Sequence, residues 1–470
     1  MLNHSAEIIV PLMGLIGHLL LLWQFGYLWS VRKSSADVTK TGCQPLPGVK
    51  AAAACPRCIS DQNQRTPVAS SVEPPPAVGS NRGRPRCVDT SSHYCPNQAC
   101  QYYGWLGLGN IRSNGHPNGK RWRQLECRVC GRTFLETINT IFYGKQVAAE
   151  TIWQVLKALA EGLDIRATAR VFELDPNTVQ KWLAQAGPHL AAVSHYLLHD
   201  LQLSQVQVDE LWALLGQSEA EGAEPDQGRS KRWVWVGFDP VSKLMLAWVV
   251  GDRSLNCAQL LIHTIAGLLV PGCVPLFLSD QWSAYEAALL THFGHWVQLS
   301  PRFSRGRKPQ PRWQPLPDLQ YAQVVKQRHK GRVIGVSYQV IYGSLDRVQA
   351  ILKQSGIGQV INTAFVERFN LTLRQHLPAL GRKVISVAKT ETGLKHQLSL
   401  GQAYYNFCLP HWALRLALPE PQPTKGSGSP KQWQPRTPAM AAGISDQLCQ
   451  LEQLLLLRVP PWPQAAAYLL

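Results

Sequence analysis

Acidic residues are scarce in this chain: 30 aspartates and glutamates stand against 47 lysines and arginines in 470 residues, a formal charge of +17. Such a balance favours a polyanionic partner, because lysine and arginine release counterions condensed on phosphates. Nucleic acid comes first and an anionic membrane surface second; composition does not separate them. Cysteine is almost missing after residue 130, where only four of the twelve remain, scattered. That pattern points to a local metal site in a reducing compartment more than to a disulfide scaffold. Basic residues are absent from the leading Met-Leu-Asn-His-Ser-Ala-Glu, which fits poorly with the n-region of a cleaved signal peptide.

What is present is ample apolar material. Hydrophobic residues make up 45% of the chain, enough for two or three domains with sizeable cores. The first segment, residues 1–33, holds the uncharged run Ile8–Trp29, long enough for a transmembrane helix; Arg32 and Lys33 behind it would leave the rest in the cytoplasm. An unused upstream start, or an apolar helix packed on the protein, accounts for the run equally well. Residues 34–90 are rich in Pro, Ser, Ala and Gln and read as a disordered linker. Cys55 and Cys58 within it have metal-ligand spacing but no second pair nearby, and no role is assigned to them.

Residues 91–144 carry Cys95-x4-Cys100 and, after a glycine-rich loop, Cys127-x2-Cys130. Two close thiolate pairs on tight turns are what a structural, tetrahedral zinc requires, so a zinc ribbon is expected with Cys95, Cys100, Cys127 and Cys130 as ligands. Residues 145–190 follow with three short helices: one ending at Gly162, one over Ile165–Phe172, and one over Val179–Ala186 capped by Asp175-Pro176-Asn177-Thr178. This resembles a helix-turn-helix that would offer Asn177, Thr178, Gln180 and Lys181 to a major groove, although small three-helix units also serve other ends.

From Gln205 the period changes to two, with Val206 and Val208 on one face and Gln207 and Asp209 on the other. Strands over Trp233–Phe238 and Leu244–Val250 complete a meander. A helix over Asn256–Leu269, a strand Val274–Ser279 ending at Asp280, a helix Trp282–Leu290 and a strand His295–Leu299 come next, so residues 200–416 read as an α/β layer with a mixed sheet. Pro301–Pro317 is basic, as is a hairpin turning near Lys330 that bears Lys326, Arg328 and Arg332; both suit a DNA backbone, or simply solvent. Asn362–Leu377 reads as a helix with Glu367, Asn370 and Arg374 on one face, beside Phe365, Phe369 and Leu373. A helix to about Leu416 follows. Residues 417–470 read as a Pro-rich linker and a C-terminal amphipathic helix, Ser445–Leu457.

Singly, each acid is an ordinary cap or ion-pair partner. Together, Asp209 and Asp280 on strands and Glu367 on a helix beside them can hold two magnesium ions about 4 Å apart, one activating a water or 3′-hydroxyl and the other the leaving oxygen of a phosphodiester.

The motifs Val208-Asp209-Glu210-Leu-Trp212, Ser279-Asp280-Gln-Trp-Ser-Ala-Tyr285 and Asn362-Thr-Ala-Phe-Val-Glu367-Arg-Phe-Asn370, behind Ile165-Arg-Ala-Thr-Ala-Arg170 and the cysteine pairs, resemble the bacterial insertion-sequence transposases of the DDE type, most closely the insertion-sequence-one family. The likeness runs over roughly residues 93–416 and leaves out the N-terminal segment, the linker and the insert 216–230. It implies an RNase H-like catalytic domain behind a zinc ribbon and a helix-turn-helix. It further implies magnesium-dependent cleavage and strand transfer at terminal inverted repeats by Asp209, Asp280 and Glu367, with Arg374, and Asn370 on the same face, turned to the DNA. Double-stranded DNA and a second copy of the chain are the expected partners. The expected location is the cytoplasm, at the nucleoid, with a membrane tether through residues 8–29 if that run inserts. A DNA-binding regulator or domesticated transposase without catalysis is the alternative.

Overall fold

The computed structural model describes residues 88–464 apart from 118–120, 217–229, 300–309, 331, 383–385, 425, 427 and 463. The run Ile8–Trp29, the pair Cys55 and Cys58, and Arg302, Arg305, Arg307 and Lys308 therefore lie outside the described residues. Among those described, no helix is long and apolar enough to cross a membrane.

Three short strands open the fold: β1 (Ile111–Ser113), β2 (Gln124–Cys127) and β3 (Thr133–Leu135), all antiparallel. The helices α1 (Ala149–Ala160), α2 (Ile165–Val171) and α3 (Pro176–Leu197) follow. Asp164 and Asp175 begin the last two, each accepting from a backbone N–H of the first turn. α3 runs well past Ala186, where the sequence predicts a stop at Gly187-Pro188. Proline costs a helical hydrogen bond there, but Leu190, Val193 and Leu197 beyond it are fully buried, and that burial outweighs the loss.

The centre of the molecule is a six-stranded mixed sheet in the order β11-β10-β7-β4-β5-β6. It comprises β4 (Gln205–Leu215), β5 (Ser230–Asp239), β6 (Leu244–Gly251), β7 (Leu276–Asp280), β10 (Gln320–His329) and β11 (Arg332–Tyr342). β4, β5 and β6 form the antiparallel meander, while β7 runs parallel to both β4 and β10. Helices α4 (Leu255–Leu268) and α5 (Ser283–His292) cover one face, with Val206 and Val208 beneath them. On the other face α6 (Leu345–Ser355) covers β7 and β10, and α7 (Ala364–His376) and α8 (Glu391–Ala403) cover β4, β5 and β6. α1 and α3 share one apolar cluster with the sheet, so the three-helix unit is not packed as a separate module.

Four further departures from the sequence reading have local causes. β8 (Gly294–Val297) does not join the main sheet but pairs with β9 (Arg312–Pro315); Trp296 and Trp313 stay 59% and 42% exposed with their rings edge to face, so this ribbon needs no buried side. α8 gives way to a π-turn over Tyr404–Cys408 instead of reaching Leu416. The stretch after 417, read as linker, contains a hairpin of β12 (Leu416–Gln422) with β13 (Lys431–Gln434), where Pro419 and Pro421 are tolerated because no neighbouring ladder needs their N–H. The last helix is shorter than predicted: α9 (Leu451–Leu456) starts at a capping box between Gln450 and Gln453 and buries Leu451, Leu454 and Leu455. Beyond it the chain returns to the ribbon. Arg458, 3% exposed, donates to Tyr94 O and lies over the rings of Tyr94 and Phe134, and Gln464 bonds Gly104 and Leu106.

Candidate active site

The short strand β7 ends between its two longer parallel neighbours β4 and β10, and the period of two decides what they present there. Gln207 pairs with Leu278, Val208 with Ser279, and Val324 with Asp280. Asp209 therefore stands on β4 one residue past its parallel pairing with β7, beside Asp280 at the end of β7, with Lys326 two residues past Val324 on β10 and on the same face. Ligands of open α/β sheets commonly gather at such carboxyl ends.

α7 lies over this row because its apolar stripe Val366, Phe369 and Leu373 is buried against the sheet, with Phe369 stacked on Phe238 at 4.6 Å. Its start is fixed by Gln207, 1% exposed, whose amide donates to Asn362 O and accepts from Val366 N. One residue further, Glu367 reaches the row. Thr363 Oγ1 is 3.0 Å from both Asp280 Oδ1 and Glu367 Oε1, and can donate to one at a time. Lys326 Nζ is 3.0 Å from Asp280 Oδ2 and also donates to Glu367 Oε1. Asn370 Nδ2 donates to Asp209 Oδ2 over 2.7 Å.

The electrostatics follow from this crowding. Burial, with repulsion from Asp280, Glu210 and Glu367, pushes Asp209 up to about 7. Burial works against the Lys326 ammonium, but its bonds to Glu367 and Asp280 prevail and hold its pKa above the usual value. Burial and the neighbouring Arg382 lower Arg374, which Asp209 partly offsets. Among the described residues, Asn370 Oδ1 and Arg374 Nε are buried without a hydrogen-bond partner.

Among the described residues, Asp209, Asp280 and Glu367 do not already form a compact cluster of ligating atoms. Among the described residues, the group of metal-ligating atoms lying within 4.8 Å of one another is Cys95, Cys100, Cys127 and Cys130. The Lys326 ammonium bridges two of the three acids. All the same, an oxygen-only donor set closed by a cation is the chemistry that suits magnesium. Nor does Asn370 face outward, as its place beside Glu367 and Arg374 suggests; at 4% exposure it is turned to Asp209.

The thiols are set by tight turns, Cys100 N bonding Asn97 O and Gly131 N bonding Cys127 O. Sγ to Sγ separations are 3.6 Å for Cys95 and Cys130 and 4.0 Å for Cys100 and Cys127. Tetrahedral zinc with 2.3 Å bonds needs about 3.8 Å between sulfurs, so the cluster fits that ion. In the first turns of α3, Asn177, Gln180 and Lys181 are exposed and Thr178 is half-buried.

Sequence reasoning passed over three residues here. Thr363 lay within a quoted motif, but no signal marked its hydroxyl. Lys326 was grouped with the basic hairpin, although Ala322, Val324 and Lys326 alternate into the row. Glu210 points to the opposite face, where Tyr285 donates to it and Arg253 pairs with it, so it supports the strand end from behind.

No family model matches the chain. Among curated proteins it is 22% identical over 184 residues to the Insertion element IS1 4 protein InsB of Escherichia coli (strain K12), a match covering 39% of this chain and 65% of that protein. It is also 22% identical over 184 residues to the Insertion element IS1 protein InsB of Shigella sonnei, covering 39% and 82%. The chain thus spans just under two thirds of the E. coli relative. Of solved structures, the Mos1 Strand Transfer Complex is similar over 31% of this chain and 55% of that one, at 15% identity and a TM-score of 0.13. The Mos1 transposase paired-end complex with left transposon end covers 32% and 58%, at 16% identity and a TM-score of 0.14. Those two likenesses are too slight to bear on the fold; the chain's similarity to insertion-element proteins rests on its sequence.

Proposed function

We propose that this chain is a DDE transposase: it binds the terminal inverted repeats of its own insertion sequence and carries out metal-dependent strand cleavage and strand transfer from an RNase H-like domain. The observation that carries the reading is the row of Asp209 and Asp280 on adjoining parallel strands, where β7 ends, with Glu367 lowered onto it by α7. A binding module has no use for three acids gathered there, one of them buried and mutually repelled. Asp209, Asp280 and Glu367 would hold magnesium, which when bound activates a water or 3′-hydroxyl and stabilises the leaving oxygen.

The chain's own groups do the rest. Asn370 orients Asp209, Gln207 sets the register of α7, and Thr363 holds Asp280 and Glu367 in place. Arg374 and the basic arm beyond Lys326 draw the DNA backbone toward the acids. Asn177, Thr178, Gln180 and Lys181 on α3 read the element ends, with zinc on the four thiols fixing the ribbon in front of them. Two copies of the chain bring two ends together.

Incubating the full chain with a duplex carrying the ends that flank its gene tests this. Nicking at the element boundary that needs magnesium and stops with chelator is the expected result. Specific binding without cutting would turn the assignment to a DNA-binding regulator.

A further inference from the structure

Lys326 is more than one cation of a basic run. Its ammonium occupies the two oxygens, Asp280 Oδ2 and Glu367 Oε1, that face each other across the end of the row. A divalent ion held by those carboxylates would compete with the lysine for them, and the lysine and the metal repel one another. The side chain has somewhere to go. It is 22% exposed, on an unbranched flexible stem, and β10 continues directly into an exposed tip bearing Arg328, His329 and Lys330. Across the arm Lys326 is opposite Val336, itself 65% exposed, so that cross-strand neighbour leaves the route open.

We propose that Lys326 is a resident counter-cation of the carboxylate row that metal displaces, and that the freed ammonium then pairs with a DNA phosphate beside the site. This rests on the metal-binding reading of Asp209, Asp280 and Glu367. Before metal arrives, the lysine shields Asp280 and Glu367 from each other and keeps α7 seated on the row. Afterwards it contributes a positive charge where phosphate must lie. The exchange links metal loading to DNA engagement through one side chain.

The two roles pull a variant in opposite directions, which makes them separable from a structural one. In calorimetric titration of the full chain with magnesium, and with manganese as a second probe, Lys326→Met should bind metal about tenfold more tightly than wild type because a competitor is gone. At saturating metal the same variant should nick an element-end duplex about tenfold more slowly. Lys326→Arg should restore the weaker metal affinity by restoring the charge. Unchanged or weaker metal binding by Lys326→Met overturns the proposal while leaving the metal site standing. If neither wild type nor Lys326→Met takes up more metal than Asp280→Asn, the metal-site reading itself falls, and this one with it.

Discussion

Asn370 and Asp209 form the closest contact between α7 and β4 at the site: the asparagine amide donates to Asp209 Oδ2 over 2.7 Å from a residue 4% exposed. With Asp209 Oδ1 accepting from the Glu210 backbone N–H, the bond sets the orientation of the carboxylate in the row. Replacing Asn370 with alanine should lower magnesium-dependent cleavage by roughly 10- to 100-fold, as loss of an orienting partner does at metal sites. Gel-shift affinity for the element ends should stay unchanged. A loss of binding equal to the loss of cleavage would show that Asn370 touches DNA instead.

Asp209 is held at a cost to stability. Its folded value of about 7 lies above the ordinary 3.8, so through this residue the metal-free chain loses stability as pH rises from about 4 to 7. Asp209→Asn should therefore stabilise the metal-free chain at pH 8, by on the order of 1–3 kcal/mol, with the gain fading toward pH 4. Urea unfolding at the two pH values measures it. A variant less stable than wild type at pH 8 would contradict the picture of mutually repelled acids.

Much of the sheet was legible because Gln205–Asp209 alternates so regularly that one face had to carry Gln207 and Asp209 together. The motif acids could be read for the same reason: each ends or follows an apolar run that fixes its direction. Legibility failed where long-range packing overrode a local signal. Gly187-Pro188 looks like a helix stop and is instead a point of close approach. His295–Leu299 looks like one more strand of the sheet, but it pairs with Arg312–Pro315 across residues whose spacing gives no warning. The bridge made by Lys326 could not be seen, since a lysine in a basic run has the same letter whether it faces solvent or a carboxylate.

Gly187 is where α3 and α8 touch. A Cβ there would meet His396 Cβ and Cδ2 at 2.7 Å and its backbone Cα at 2.8 Å. Rotation of the imidazole relieves only one of these contacts, so the helices must part. Gly187→Ala should destabilise the chain by about 1–3 kcal/mol, read as a lower urea midpoint.

The four thiols should retain a single zinc ion per chain through purification. Cys127 is fully buried at the centre of the cluster, so Cys127→Ser should abolish the zinc found by elemental analysis and weaken binding to the element ends, since the ribbon loses its fold-holding ion. Zinc retained in full would place the ion elsewhere.

The most direct test of the whole account compares wild type with Glu367→Gln on duplexes carrying the element ends, in magnesium, scoring both binding and nicking. Glu367 is reached by Thr363 and Lys326 but takes no part in the buried core, so the variant should fold and bind as wild type does. Nicking at the boundary by wild type, and at least 100-fold less by Glu367→Gln with binding intact, is the predicted outcome for loss of a metal ligand. Equal nicking by both proteins would contradict it, because the third carboxylate would then have no part in the chemistry.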